Sequence, residues 1–290
     1  MNMSIPEIDW KRTDLLIDLA LEEDLGDRGD VTSDSVLPEG LRVKAVLLCK
    51  EALVCAGLPV AERLFRKLSP DIVFRKLVKE GQYCPHGTIL AELEGPARLL
   101  LEGERTALNF LQRLCGTATM SYRYQNLAGD RMKVLDTRKT TPGWRNLEKY
   151  AVAVGGASNH RIGLYDRVMI KDNHRELAGL EGAGGILRSV DRARKKYPDL
   201  EVEVEIDSLA DLDEAIQSGA EYILLDNMSC SDMRTAVLRT AGRAKLEASG
   251  NVTIGRIAEI AETGVDFVSS GALTHSVKAC DISMDIVLPE

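Results

Sequence analysis

The second half of the chain alternates short apolar runs with longer amphipathic segments. The apolar runs lie at 133–136, 167–171, 200–206, 222–225, 245–248 and 266–269, and residues 209–217 and 253–262 have the pattern of intervening helices. Repeated strand–helix units predict a parallel sheet covered by helices, which either stays open or closes into a barrel. The motif GxGxxG, which marks open dinucleotide-binding sheets, does not follow the first strand, and the P-loop motif GxxxxGK[ST] does not occur in the chain.

The first hundred residues have a different pattern, with short β-rich runs at 43–47, 52–56 and 88–93 separated by glycines. Helices are predicted at 59–68 and 102–114, and Thr13 is a candidate N-cap for a helix that ends near Gly26. This part of the chain reads as a small α/β sandwich.

Polar residues follow nearly every strand of the second half. Examples are Asp136-Thr-Arg-Lys139, Lys171-Asp-Asn-His174 and Asp226-Asn227. In a strand–helix barrel such turns meet at the rim that carries the active site. This arrangement favours a barrel over an open sheet.

Positive charge is concentrated in one stretch. Residues 131–175 contain ten Lys or Arg against four Asp or Glu, a local charge of +6 in a chain of formal net charge −8. A concave positive surface attracts anions. The alternative is a solvated basic helix face, but Arg138-Lys139, His160-Arg161 and Lys171 stand at the ends of apolar runs beside turn residues, which favours an anion site.

Composition narrows the class of protein. The chain has 290 residues, 44% of them hydrophobic and only 4% aromatic, which suits a large aliphatic core. A pI near 5.3 argues against general nucleic-acid binding. The six cysteines form no CxxC pair, so neither a disulfide framework nor a zinc site is predicted. Without a leader pattern or an apolar span, a soluble cytoplasmic protein is expected.

Two turns in the last strand–helix units resemble a phosphate cradle. Ser249-Gly250-Asn251 and Ser269-Ser270-Gly271 each run into a predicted helix, where small residues let backbone N–H groups approach an anion. Either turn alone is also an ordinary helix cap.

Carboxylates are predicted on the strands opposite the basic stretch. Glu203 and Glu205 share one face of a strand, and Asp226 ends the next. They either pair with Lys139, Arg161 or Lys171, or hold a hydrated Mg²⁺ or ribose hydroxyls, and we favour the second interpretation for Glu205 and Asp226. For Arg105, on the predicted helix 102–114, the residues alone favour a surface salt bridge.

The order of these motifs resembles the quinolinate phosphoribosyltransferase family. The resemblance rests on Glu104–Asn109, Asp136–Gly143, Asn159–Arg161, Ile170–His174, Val202–Glu205, Leu225–Asn227, Glu247–Gly250 and Val268–Gly271, with further matches at Glu23–Thr32 and Asp281–Asp285, and so covers nearly the whole chain. It implies an N-terminal α/β sandwich domain over 1–115 and an incomplete parallel α/β barrel of about seven strands over 116–275. Residues 276–290 are expected to return to the first domain.

The family reaction, as the resemblance implies it, joins quinolinate to phosphoribosyl pyrophosphate with Mg²⁺. It gives nicotinate mononucleotide, pyrophosphate and CO₂ within NAD biosynthesis. Both substrates are polyanions, which agrees with the basic stretch. The resemblance also implies a homodimer, with no nucleic-acid or membrane partner and with assembly into higher oligomers left open.

The resemblance assigns a role to each candidate residue. The quinolinate carboxylates are expected to bind Arg138, His160, Arg161 and Lys171, and Arg105 entering from the neighbouring subunit. The candidate catalytic residues are Lys139, Lys171, Glu205 and Asp226, and Mg²⁺ is expected at Glu205 and Asp226, directly or through water. Phosphoribosyl pyrophosphate is expected to bind Lys139, Glu205, Asp226, Ser249, Gly250, Asn251 and Gly271.

Three local departures from the family pattern leave every charged candidate in place. They are Cys115-Gly-Thr-Ala-Thr119, Ala157 where a third glycine is usual, and Asn251 where glycine is frequent. Alternative functions are a nicotinate or nicotinamide phosphoribosyltransferase, a barrel lyase with Lys139 or Lys171 as a Schiff base, and an anion-binding scaffold without activity.

Overall fold

The computed structural model describes residues 5–287, which form two compact units. The first unit comprises the chain as far as Tyr122, Thr141–Gly156 and the chain from Ser276 onward. The second comprises Arg123–Thr140 and Ala157–His275. Among the described residues, no helix combines the length and apolar character that a membrane span needs.

The first unit is built on an antiparallel sheet. Its helices are α1 (Trp10–Leu25), α2 (Val31–Val36), α3 (Leu58–Leu68), α4 (Ala97–Ala128, which belongs to this unit as far as Tyr122) and α5 (Arg145–Val154). Its strands are β1 (Arg42–Cys49), β2 (Leu53–Val54), β3 (Val73–Lys76), β4 (Tyr83–Cys84), β5 (Ile89–Pro96) and, last in the chain, β12 (Ile282–Val287). The main sheet has the order β12-β1-β5-β3, and β2 pairs with β4.

The core of this unit follows from the residue pattern. Alternate residues of β1 point inward, so that Ala45, Leu47 and Cys49 are buried. Helix α3 contributes one apolar face, including Leu64 and Phe65, both completely buried. The predicted α/β sandwich is therefore present.

Two details of the first unit differ from the sequence prediction. Asp9, not Thr13, caps α1: its Oδ1 accepts the Arg12 N–H at 3.1 Å, while Thr13 is completely buried. The helix predicted at 102–114 runs from Ala97 to Ala128 because buried small and aromatic residues continue its apolar stripe beyond Leu114.

All six predicted strands of the second unit form. The strands are β6 (Lys133–Leu135), β7 (Val168–Ile170), β8 (Val202–Ile206), β9 (Tyr222–Asp226), β10 (Lys245–Ser249) and β11 (Phe267–Ser269). The helices are α6 (Asp172–Leu177), α7 (Gly185–Lys196), α8 (Leu212–Gln217), α9 (Cys230–Thr240), α10 (Ile257–Ala261), which follows a 3₁₀ turn at Ile254–Arg256, and α11 (Ala272–His275).

The sheet of the second unit is parallel throughout, with the order β6-β11-β10-β9-β8-β7. Within residues 5–287 no ladder joins β6 to β7, so the barrel is incomplete, as expected. The sheet has six strands rather than about seven, and a single parallel bridge from Leu135 to Ser158 extends the β6 edge.

Candidate active site

The candidate residues of the second unit lie where its parallel strands end. Arg138 and Lys139 follow β6, Lys171 follows β7, Glu205 is the penultimate residue of β8, Asp226 ends β9, Ser249 ends β10 before Gly250 and Asn251, and Gly271 comes two residues after β11. The carboxyl ends of parallel strands share one edge of a sheet, so the fold gathers these residues on one side.

Asp136, directly after β6, anchors the segment that carries His160. The Asp136 side chain is buried, and its two oxygens accept the His160 N–H and the Asn159 side-chain amide, each at 2.8 Å. The Asp136 N–H donates to the Ser158 carbonyl at 3.1 Å. A buried carboxylate needs donors of this kind to offset its lost hydration. The Asn159–His160 segment is thereby fixed against β6.

His160 turns its imidazole toward two buried glutamates. Its Nε2 lies 3.2 Å from Glu203 Oε2 and 3.4 Å from Glu247 Oε2, and all three residues are buried. Burial lowers the pKa of His160, but the two carboxylates outweigh burial and raise the pKa to about 9. The Arg161 N–H donates to His160 Nδ1 at 2.7 Å, which requires an unprotonated Nδ1. That contact belongs to the neutral imidazole with its proton on Nε2, and protonation of Nδ1, which the raised pKa favours, would break it, so the two carboxylates and the Arg161 N–H act on His160 in opposite directions.

Arg161 and Arg138 are close enough to repel each other. Burial lowers the pKa of Arg161, and the charge of Arg138 lowers it further. The Arg161 guanidinium is oriented by the Arg167 carbonyl at 3.2 Å and by Met169 Sδ at 3.5 Å. Two guanidinium groups held near each other favour a ligand with more than one negative charge.

Lys171 and Glu205 form an ion pair at the ends of neighbouring strands. Lys171 Nζ lies 2.7 Å from Glu205 Oε2, and the Lys171 N–H donates to His174 Nδ1 at 3.0 Å. This is one of the pairings left open by the sequence. Both side chains keep part of their surface exposed, 43% for Lys171 and 16% for Glu205, so the pair remains accessible to a ligand.

Lys139 is exposed on a turn whose backbone is fixed. Its N–H donates to Thr137 Oγ1 at 3.0 Å, and its carbonyl accepts the Thr274 hydroxyl at 2.7 Å. A Cβ on Gly271 would lie 3.0 Å from Lys139 Cδ, so the absence of a side chain at Gly271 leaves space for the lysine stem. The structure therefore brings Lys139 and Gly271 together.

Asp226 is linked to the turn that follows β10. The Asn227 side-chain amide donates to Asp226 Oδ2 at 2.8 Å, and Asn227 Oδ1 accepts from the Asn251 amide at 3.2 Å. A Cβ on Gly250 would overlap Asn227 Oδ1, and Gly250 has a φ of +91°, so this turn requires glycine on two counts. Asn227 connects the predicted ribose and metal carboxylate to the predicted phosphate turn.

The matches to known proteins agree with this geometry. The model of the N-terminal domain of quinolinate phosphoribosyl transferase matches residues 30–115, and that of its C-terminal domain matches residues 117–285. The chain belongs to the quinolinate phosphoribosyltransferase family. The two domain models together span most of the chain.

Individual relatives are similar over most of their length. The chain is 42% identical over 288 residues to a nicotinate-nucleotide pyrophosphorylase (carboxylating) of Oryza sativa subsp. japonica, covering 93% of this chain and 76% of the relative. It is 40% identical to a quinolinate phosphoribosyltransferase (decarboxylating) of Nicotiana tabacum, covering 93% and 81%. The structure of the nicotinate-nucleotide pyrophosphorylase from Francisella tularensis matches with a TM-score of 0.92 at 38% identity, covering 99% and 100%.

Arg105 of this phosphoribosyltransferase-family chain lies in the first unit, on α4. It is exposed, and within the described part of the chain no carboxylate lies within salt-bridge distance of its guanidinium. The surface salt bridge favoured by the residues alone is therefore not formed there. Its expected place at a neighbouring subunit's site stays a prediction.

Sequence reasoning missed several residues that contact the candidate residues or their backbone. Asp136, Asn227, Glu247 and Thr274 were given no role, and Glu203 was given only the possible pairing with Lys139, Arg161 or Lys171 that it shared with Glu205 and Asp226. Glu247 could have been found, because a carboxylate inside an otherwise apolar strand is costly unless it has a specific partner. Asn227, with a φ of +55°, gives no comparable signal in the sequence.

Proposed function

We propose that this protein transfers the phosphoribosyl group of phosphoribosyl pyrophosphate to quinolinate with loss of CO₂. The products are nicotinate mononucleotide and pyrophosphate, a step of NAD biosynthesis. Family membership supports the reaction. The observation that carries the substrate class is the placement of Arg138, Lys139 and Lys171 after the parallel strands β6 and β7, on one sheet edge, since a dicarboxylate would neutralise this charge.

Quinolinate would bind through Arg138, Arg161 and Lys171, with His160 beside them. Arginine suits this task because its planar guanidinium binds a carboxylate through two parallel hydrogen bonds. The fixed backbone at His160 and the anchored guanidinium of Arg161 mean that little side-chain entropy is lost on binding.

The carboxylates at the ends of β8 and β9 suit a hydrated Mg²⁺ that accompanies the pyrophosphate. Glu205 pairs in register with Leu224, two residues before Asp226, so the two acids lie on adjacent strands. Mg²⁺ prefers oxygen ligands and keeps several waters, and two carboxylates fit this requirement. The bound ion would neutralise phosphate charge, while Ser249, Gly250, Asn251 and Gly271 would hold the 5′-phosphate.

The chemistry needs charge placement more than a side-chain nucleophile. The pyridine nitrogen attacks the anomeric carbon while the bond from that carbon to the pyrophosphate oxygen breaks. Glu205 and Asp226 stabilise the positive character at the ribose, and Lys139 and Lys171 stabilise the departing pyrophosphate. The ring nitrogen is then cationic, so the carboxylate on the adjacent ring carbon leaves as CO₂, its bonding electrons stay on that carbon and a proton replaces it.

A direct assay tests the proposal. Purified protein with Mg²⁺, phosphoribosyl pyrophosphate and carboxyl-labelled quinolinate should release one labelled CO₂ for each nicotinate mononucleotide formed. Equal or faster turnover of nicotinate would replace the proposed substrate. Borohydride trapping with a carbonyl substrate tests the lyase alternative. The ion pair with Glu205 opposes that alternative at Lys171, because it engages the Nζ atom that would have to attack the carbonyl carbon.

We also propose a homodimer in which Arg105 reaches the partner's site. The exposed position of Arg105, without a salt bridge in the described residues, supports this. Arg105→Ala and Lys139→Ala should each abolish turnover, and mixed, exchanged dimers should regain about a quarter to a half of it because one site then holds both residues. No recovery in dimers shown to have exchanged would contradict the shared site.

A reducing compartment such as the cytoplasm fits the cysteines. All six are free and buried, and burial raises the pKa of Cys49 to about 12, which makes it a poor nucleophile. Intact disulfides under oxidising purification would argue against this location.

A further inference from the structure

Two buried glutamates of the second unit have no part in the proposed chemistry. Glu203 on β8 and Glu247 on β10 are both completely buried, and each has a carboxylate oxygen within 3.4 Å of His160 Nε2. Burying one carboxylate without compensation is costly, and burying two side by side is more so. Their placement at one histidine calls for a specific role.

We propose that Glu203 and Glu247 are positioning residues that act on quinolinate through His160 and Arg161. The two carboxylates keep the Nε2–H of the His160 imidazole turned toward them. Nδ1, on the other side of the ring, then faces the Arg161 N–H. The imidazole thereby sets the backbone, and with it the guanidinium, of Arg161. This inference rests on the proposed function, because it concerns the quinolinate half of that site.

The contacts form a closed network. Arg161 N–H donates to His160 Nδ1 at 2.7 Å, and Arg161 Nη1 donates to the Arg167 carbonyl at 3.2 Å. The Arg167 side chain also contacts Glu203, with Arg167 Nη1 3.6 Å from Glu203 Oε2. The Arg167 guanidinium lies 4.1 Å from the ring centre of Tyr222. Glu203 therefore contacts both His160 and Arg167, the two residues that orient Arg161. Glu247 is the second carboxylate in contact with the imidazole.

The charged groups around the imidazole favour a proton over a metal ion in this network. His160, Glu203 and Glu247 are the one group of three potential metal ligands within residues 5–287, and their N···O separations are also compatible with a tetrahedral ion at bonds of about 2.0–2.2 Å. However, the Glu203 oxygen that faces His160 is also the one that faces the Arg167 guanidinium. A divalent cation there would be repelled by Arg167, whereas the Nε2 proton lies between the two carboxylates at ion-pair distance, 3.2 Å from Glu203 Oε2 and 3.4 Å from Glu247 Oε2, without a well-aligned hydrogen bond to either.

The test compares three glutamine variants in the purified, full-length protein. Glu203→Gln and Glu247→Gln keep side-chain volume but remove the paired charge. Each should raise KM for quinolinate roughly tenfold, equivalent to about 1.4 kcal/mol, and leave KM for phosphoribosyl pyrophosphate within about twofold. Glu201→Gln is the matched control, because Glu201 also contacts Arg167, at 3.4 Å, but is exposed and forms no ion pair with His160 among the described residues. It should leave both constants unchanged.

The wild-type protein provides a readout that needs neither a variant nor turnover. Nitrogen NMR at pH 7 should show a proton on Nε2 of His160 and none on Nδ1, and a bare Nε2 or a protonated Nδ1 would overturn the proposal. Parallel changes in both KM values, or a fall in kcat with KM for quinolinate unchanged, would assign the glutamates a structural role instead. If the wild type contained a stoichiometric metal ion and the Glu247→Gln variant did not, the three residues would hold a metal ion and not a proton, which would contradict the proposal. Absence of quinolinate turnover in the wild type would contradict the proposed function alone, since the NMR result stands apart from it.

Discussion

Lys171 Nζ lies 2.7 Å from Glu205 Oε2, so the β7 and β8 ends of the site hold opposite charges in contact. A substrate carboxylate or pyrophosphate that binds Lys171 must share the ammonium with Glu205 or displace it. The pair thus keeps Lys171 oriented before substrate arrives, and it places a carboxylate beside the position proposed for the ribose.

Replacement of Glu205 tests this double role. We expect Glu205→Gln to lower kcat by about 100-fold, because a neutral amide stabilises developing positive charge at the ribose less than a carboxylate does. Steady-state kinetics with both substrates measures the effect. Asp191→Asn is a suitable control, because Asp191 forms a similar 2.7 Å pair with Lys195 on the exposed surface of α7. A Glu205→Gln enzyme with wild-type kcat would remove Glu205 from the chemistry.

The strands of the second unit and the residues at their ends were predictable because both depend on local pattern. Each apolar run became a strand, and each polar turn after it lies at the same sheet edge. The grouping of His160 with Glu203 and Glu247 was not predictable in this way. It depends on β8 and β10 lying on either side of β9, and on Asp136 fixing the His160 segment, which are tertiary relationships without a local signal.

Arg161 provides a test of the quinolinate site. Lysine at this position keeps the charge but loses the planar fork, and it cannot make both contacts that orient the guanidinium, to the Arg167 carbonyl and to Met169 Sδ. We therefore expect Arg161→Lys to raise KM for quinolinate by about 10- to 100-fold with little change in KM for phosphoribosyl pyrophosphate. Isothermal titration with quinolinate and with phosphoribosyl pyrophosphate measures the effect on each substrate separately. Equal weakening of both substrates would show that Arg161 does not belong to the quinolinate half.

The turn after β10 should respond to substitution in a position-specific way. Gly250→Ala introduces a Cβ that overlaps Asn227 Oδ1 at a φ of +91°, so we expect a rise of at least about tenfold in KM for phosphoribosyl pyrophosphate. Asn251→Gly suits the φ of +48° at that residue and loses only the 3.2 Å bond to Asn227, so its effect should stay within about threefold. Kinetics at varied phosphoribosyl pyrophosphate measures both, and equal effects would contradict the proposed role of Gly250.

Glu80 makes a pH-dependent contribution to the stability of the first unit. Its carboxylate accepts the Gly57 and Leu58 N–H groups at 2.7 and 3.1 Å and the Tyr150 hydroxyl at 2.7 Å, so it caps the start of α3. Burial raises the pKa of Glu80, and these hydrogen bonds only partly offset the rise.

A carboxyl whose pKa is higher in the folded chain than in the unfolded chain binds its proton more tightly when folded. The free energy of unfolding therefore falls as pH rises from the ordinary value near 4.5 through the raised pKa. Glu80→Ala leaves three donors without this acceptor and should lower the free energy of unfolding by about 2–4 kcal/mol. Because alanine does not titrate, the difference between wild type and Glu80→Ala should be larger at pH 4.5 than at pH 7.5. Urea unfolding at both pH values measures it, and a larger difference at pH 7.5 would mean that the hydrogen bonds, rather than burial, dominate the pKa of Glu80.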